Sequence, residues 1–185
     1  MHPDDRWPGG TWIVATDYHT GRRVTFGRAG SPTTSLARAV AASCAVPAWY
    51  EPVTIDGLPH IDGGVCSPCN ADLLAGSGLD EVYVLAPMAA TEHDRPRDPL
   101  TWLERRWRRS STKRVCRELD KLRAAGIRAT LLTPNATDLE VMGFNMMDGA
   151  RRRDVLLCAR ETVTAQLSEK VSEKVSGTAH LAAAA

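Results

Sequence analysis

The stretch Val53-Thr54-Ile55-Asp56-Gly57-Leu58-Pro59-His60-Ile61 constrains this chain more than any other. Two runs of strand-forming residues flank an Asp-Gly pair. A two-residue hairpin turn needs positive φ at both central positions, which Asp-Gly supplies at small steric cost. A β-hairpin is therefore expected, with Asp62-Gly63-Gly64 placed where its second strand ends. His60 lies two residues before Asp62, so on a strand both side chains share one face. His60 is expected as a solvated hairpin histidine rather than as a second base.

The remaining pattern alternates strand and helix. Thr11 to Ala15 reads as a strand, and Asp17 with His19-Thr20-Gly21 turns it into Arg23-Val24-Thr25-Phe26, as a hairpin or two neighbouring strands. Ser31 to Ser35 is a cluster of turn and capping residues, and Leu36 to Ala45, nearly all small or apolar, suits a helix packed on both sides that stops before Pro47. Asn70 is a candidate cap for a short helix through Leu74. Glu81 to Ala86 reads as a buried strand, Pro99 to Ala125 as a long helix ended by Gly126, and Ile127 to Leu132 as another strand. Strand, helix, strand in this order implies an α/β architecture with a largely parallel sheet. A last helix is expected from Asp148 to about Gln166. The organisation read from this pattern is one domain over residues 1–166, then a low-complexity tail, 167–185, expected to be frayed or disordered.

Composition limits the function. The 185 residues carry 23 Lys+Arg against 22 Asp+Glu, so a formal charge of +1 supplies no global field for nucleic acid. No apolar run approaches the ~20 residues that cross a bilayer, and the first residues lack a secretory pattern, so a cytoplasmic location is expected. Five scattered cysteines suit reduced thiols. Cys66 and Cys69 have C-x-x-C spacing, open to half a zinc site or a redox pair, but no second pair completes a zinc site. Two reduced loop cysteines are the preferred reading, with no metal or cofactor expected. On the long helix Arg105, Arg106, Arg108, Arg109, Lys113 and Arg114 interleave with Trp102 and Trp107. This is either a basic face for an anionic lipid surface, peripheral to a membrane, or a solvated face whose tryptophans pack on the sheet. Arg151, Arg152 and Arg153 are read as a solvated first turn rather than a phosphate site.

Two segments in sequence order carry a family resemblance. Ala42-Ser43-Cys44-Ala45-Val46-Pro47 followed by Ala48-Trp49-Tyr50 matches an A-S-x-A-x-P helix end followed by an aromatic, with Ser43 and Pro47 at the motif positions. Ile61-Asp62-Gly63-Gly64-Val65, followed by Ser67-Pro68-Cys69-Asn70, matches a D-G-G motif. Together they resemble the patatin-like phospholipase family, and Trp12 to Asp17 with Thr20-Gly21 looks like the strand and turn that precede these motifs in bacterial members. The resemblance spans roughly residues 5 to 160 and points to the C-terminal portion of the family's domain.

The resemblance implies a partial patatin-like α/β domain, a mostly parallel sheet flanked by helices, with the N-terminal strands and nucleophile elbow missing. It implies a lipid acyl hydrolase with a Ser-Asp dyad and no cofactor, in which Asp62 accepts the serine proton while Gly63 and Gly64 let the backbone turn its carboxylate into the site. The competing reading is that Asp62 only caps a turn. The sequence contains no G-x-S-x-G, and Gly76-Ser77-Gly78 lacks that spacing. The expected reading is thus an Asp-bearing part, inactive alone, completed by an N-terminal half in trans and acting on a lipid or acyl-ester substrate. The alternative is a non-catalytic lipid-surface or protein-interaction module derived from the family.

Overall fold

The computed structural model describes residues 7–91, 98–145 and 148–182. The readings of the first six residues as lacking a secretory pattern and of the last three alanines as part of a frayed tail lie outside the described residues. The chain divides into two compact units, residues 1–73 and 74–185.

In the first unit, β1 (Ile13–Asp17), β2 (Arg23–Phe26), β3 (Val53–Ile55) and β4 (Leu58–Asp62) form one sheet in the order β2-β1-β4-β3. Every pairing in it is antiparallel, which corrects the expected largely parallel sheet. The reason lies in the connections. A tight turn can only join antiparallel strands, and both β1 to β2 and β3 to β4 are so joined, the latter with Asp56 at φ 50° and Gly57 at φ 78°. The two central strands, β1 and β4, then pair through Ala15 opposite Asp62 and Asp17 opposite His60.

Helix α1 (Leu36–Ser43) starts at Ser35, whose hydroxyl accepts from the Arg38 amide. It lies on β1, β3 and β4. Ala39 and Ala42 are buried and, being small, let the helix approach the sheet, where Ala15, Phe26 and Ile55 complete the core. Only one helix face is used: Val40 and Cys44 are exposed, so the expectation of packing on both sides does not hold.

In the second unit, β5 (Glu81–Leu85) and β6 (Arg128–Leu132) pair in parallel, joined by the crossover helix α2 (Pro99–Ala124), as the strand-helix-strand pattern implies. Asp98 caps α2 by accepting from Thr101 N at 2.8 Å, and Pro99 occupies the first turn, where its missing N–H costs nothing. Val115, Leu119 and Leu122 form its buried side. Two α-helices follow, α3 (Ala136–Met142), which was not among the expected elements, and α4 (Arg152–Ala182), which continues well past residue 166.

The inner side of α2 also buries charge. Arg105 and Arg108 are 8% and 1% exposed and both pair with Glu104, while Arg108 Nη1 donates to Pro87 O at 2.6 Å. Breaking a buried pair from one side leaves an uncompensated charge, whereas an exposed pair contributes little. Glu104→Ala should therefore lower unfolding free energy by about 3–5 kcal/mol in urea titration. Asp120→Ala, which breaks the exposed pair with Arg123, should cost less than about 1 kcal/mol.

Candidate active site

Asp62 closes β4, and three backbone restraints fix it there. It pairs with Ala15 of β1, its amide donates to Ala45 O at 3.0 Å, and its carbonyl accepts from Thr16 Oγ1 at 3.2 Å. The bond to Ala45 joins the two sequence motifs, because Ala45 lies just beyond the end of α1 in the segment containing Ser43 and Pro47. Ser43 is half-buried as the last residue of α1, and Pro47 is exposed. After it Ala48 takes φ 72°, and Trp49 and Tyr50 are exposed.

The Asp62 side chain is half-buried, and its Oδ1 accepts from Gly64 N at 2.6 Å, the one hydrogen bond to this carboxylate among the described residues. One oxygen orients the group while the second is left to accept a proton, which is what a general base requires. The two glycines serve close approach rather than the unusual backbone angle the motif suggested, since neither has positive φ. A Cβ on Gly63 would lie 2.3 Å from Val14 O, and one on Gly64 would lie 2.8 Å from Asp62 Oδ1. Only glycine fits under β1 at the first position, where the obstacle is backbone, whereas a side chain at the second would displace the Asp62 carboxylate from its place.

His60 is 2% exposed, which corrects the solvated reading. It lies between Asp17 of β1 and Val53 of β3, so neighbouring strands cover it, and its ring meets Phe26 edge-on at 5.4 Å. Its Nδ1 is buried without a partner among the described residues.

Asn70 immediately precedes the turn Ala71–Leu74, and its carbonyl accepts from Leu73 N at 3.2 Å. It takes φ 53° and its Nδ2 donates to Ser67 O at 2.7 Å and Gly63 O at 3.3 Å, fastening the chain that follows Asp62. Its Oδ1 accepts from Arg23 Nη1 at 3.3 Å, and Arg23 pairs with Asp72 at 2.5 Å. Arg23 and Asp72 support the site and were missed in the sequence because they lie 49 residues apart with no local signature. Cys66 accepts from Thr16 Oγ1 and donates to Gly21 O, at 3.4 and 3.3 Å. Cys66 and Cys69 are not joined in a disulfide, and among the described residues no group of three or more His, Cys, Asp or Glu is placed to hold a metal ion.

The model of the patatin-like phospholipase family matches residues 8–75. The family resemblance is supported there. The match holds the antiparallel sheet, α1 and the whole D-G-G segment. It covers the N-terminal part of this chain rather than the span of roughly 5 to 160 expected from the motifs, so β5 and everything after it lie outside. No curated protein matches the chain.

Two outcomes follow from the local geometry. Gly63→Ala should destabilise the fold by about 1–3 kcal/mol through collision with the Val14 carbonyl, whereas Gly9→Ala, with nothing within 4 Å, should leave the melting temperature nearly unchanged. Asp17 provides a pH test. Hydrogen bonds from the Thr20 amide first and the Thr20 hydroxyl second hold its carboxyl below its ordinary value. A carboxyl with a lowered folded-state pKa stabilises above its unfolded pKa and loses that contribution as pH falls through the folded value. Stability should therefore decline with acidification below about pH 4, and less steeply in Asp17→Asn, as read from urea midpoints across pH.

Proposed function

We propose that Asp62 is the general base of a Ser-Asp lipid acyl hydrolase site whose serine and oxyanion donors are supplied from outside these 185 residues. The observation that carries this reading is the D-G-G turn inside the family-matched segment, where Gly63 is sterically obligatory and Gly64 donates its amide to the Asp62 carboxylate at the end of β4. In the reaction, the serine hydroxyl attacks an ester carbonyl as its proton passes to the carboxylate, and the same proton then goes to the leaving alcohol. The tether from Gly64 N fixes one carboxylate oxygen, so the second meets the serine with little reorganisation.

A second reading, a non-catalytic module derived from the family, is favoured by the same tether, because an aspartate accepting from an amide two residues on is also an ordinary turn cap. Activity distinguishes the two. The 185-residue chain alone should hydrolyse short-chain p-nitrophenyl esters at background rate, since loss of a nucleophile costs ~10⁶ in kcat. Co-expression with a patatin-like segment carrying Gly-x-Ser-x-Gly should restore turnover, and Asp62→Asn should abolish it with no change in circular dichroism. Turnover of the pair that survives Asp62→Asn would assign the aspartate to the turn alone.

A further inference from the structure

We propose that the outward face of α2, from Leu100 to Arg117, docks on an anionic phospholipid surface. This interaction is separate from the Asp62 chemistry and stands whether or not that site is catalytic.

Charge segregation is the first observation. Between Leu100 and Arg117 the exposed residues include the cations Arg106, Arg109, Lys113, Arg114 and Arg117, and no carboxylate. The one acid in this stretch, Glu104, is turned to the buried Arg105 and Arg108. Solvated helix faces ordinarily mix both signs and gain from pairs three or four residues apart. Within residues 100–117 the inner side takes up the one acid, and the charges exposed on the outer side are all cationic. Arg105 and Arg108 are thereby removed from the basic face that the sequence pattern outlined.

Exposed apolar groups on the same helix are the second observation. Leu100, Trp102, Leu103 and Trp107 are exposed, and Arg106 lies over the Trp102 ring at 5.8 Å. Arg106 and Trp107 lie three and four residues after Leu103, Ser110 three after Trp107 and Lys113 three after Ser110, so they share one side of the helix, and among the described residues they and Arg109 border an open depression of about 570 Å³. Large apolar side chains flanked by Lys and Arg are what a helix lying in a bilayer interface presents: rings and leucines enter the headgroup boundary while cations stay with lipid phosphates.

Charge decides among other occupants. A second copy would set five cations against five, an arrangement opposed by repulsion. A nucleic acid would satisfy the cations but leave Leu100 and Leu103 without apolar contact. An anionic lipid surface satisfies both sets of groups.

The test uses the full chain and sedimentation with vesicles of phosphatidylcholine alone or mixed with phosphatidylserine. Binding is expected to the mixed vesicles, falling as salt screens the charges. The triple variant Arg106→Glu, Arg109→Glu, Lys113→Glu should bind them roughly 10²-fold more weakly, from the loss of three surface cations. Leu103→Ala with Trp107→Ala should also weaken binding, while Arg123→Glu with Arg128→Glu, exposed cations outside this stretch, should bind as the wild type does. Circular dichroism confirms that each variant is folded. Equal binding to both vesicle types, no binding, or an unaffected triple variant would overturn the proposal. So would capture of duplex DNA or polyglutamate through this face without vesicle binding.

Discussion

The hydrogen bond from Asp62 N to Ala45 O organises the first unit, because it ties the end of the central strand β4 to the chain leaving α1. To the core shared with the sheet the helix contributes only small side chains, Ala39 and Ala42, set against Ala15, Phe26 and Ile55. Such a contact buries little area per residue and tolerates sliding, so a directional bond at its margin sets the position of the helix. The next residue, Gly63, reinforces the arrangement from below by lying against the Val14 carbonyl, closer than any side chain would allow. Asn70 then holds the Gly63 carbonyl through its amide group and is itself anchored to Arg23. The aspartate is thus positioned by backbone geometry on several sides, and its carboxylate is held in turn by the Gly64 amide.

Local features were legible in the residues, and features that depend on distant neighbours were not. The Asp56-Gly57 hairpin could be read because positive φ at both turn positions is a property of two residues. The β5-α2-β6 crossover was also readable, since its three elements are consecutive. Sheet direction in the first unit was not, because the pairing of β1 with β4 joins segments more than forty residues apart. The burial of His60 has the same origin: a histidine on a hairpin is solvated or covered according to whether strands lie on both sides. Helix α3 did carry a readable signal. Asn135 and Asp138 form a capping box, three residues apart, in which each side chain accepts from the other's amide.

Helix phase would have sorted the arginines of α2. Arg108 lies on the side of Val115, Leu119 and Leu122 when positions are followed at 3.6 residues per turn, and it is more buried than Arg105. A guanidinium on an apolar face requires an anion and a carbonyl, and Glu104 and Pro87 O provide them. Asp138 is likewise covered, and it accepts from Thr162 Oγ1 at 2.9 Å, linking α3 to α4. The second unit thus places its ionic and polar groups at element junctions, where they specify which helices meet.

The lengths of the outer strands determine how the first sheet can meet other molecules. β2 has four residues and β3 has three, and these are the two edges of the sheet. So few open backbone groups make a poor template for an incoming strand, a property that limits recruitment by edge pairing and the fibrous growth that follows from it. Any molecule recognising this unit must read side chains and loop ends rather than extend the ladder. The flanks of the sheet then contribute little to association by strand addition.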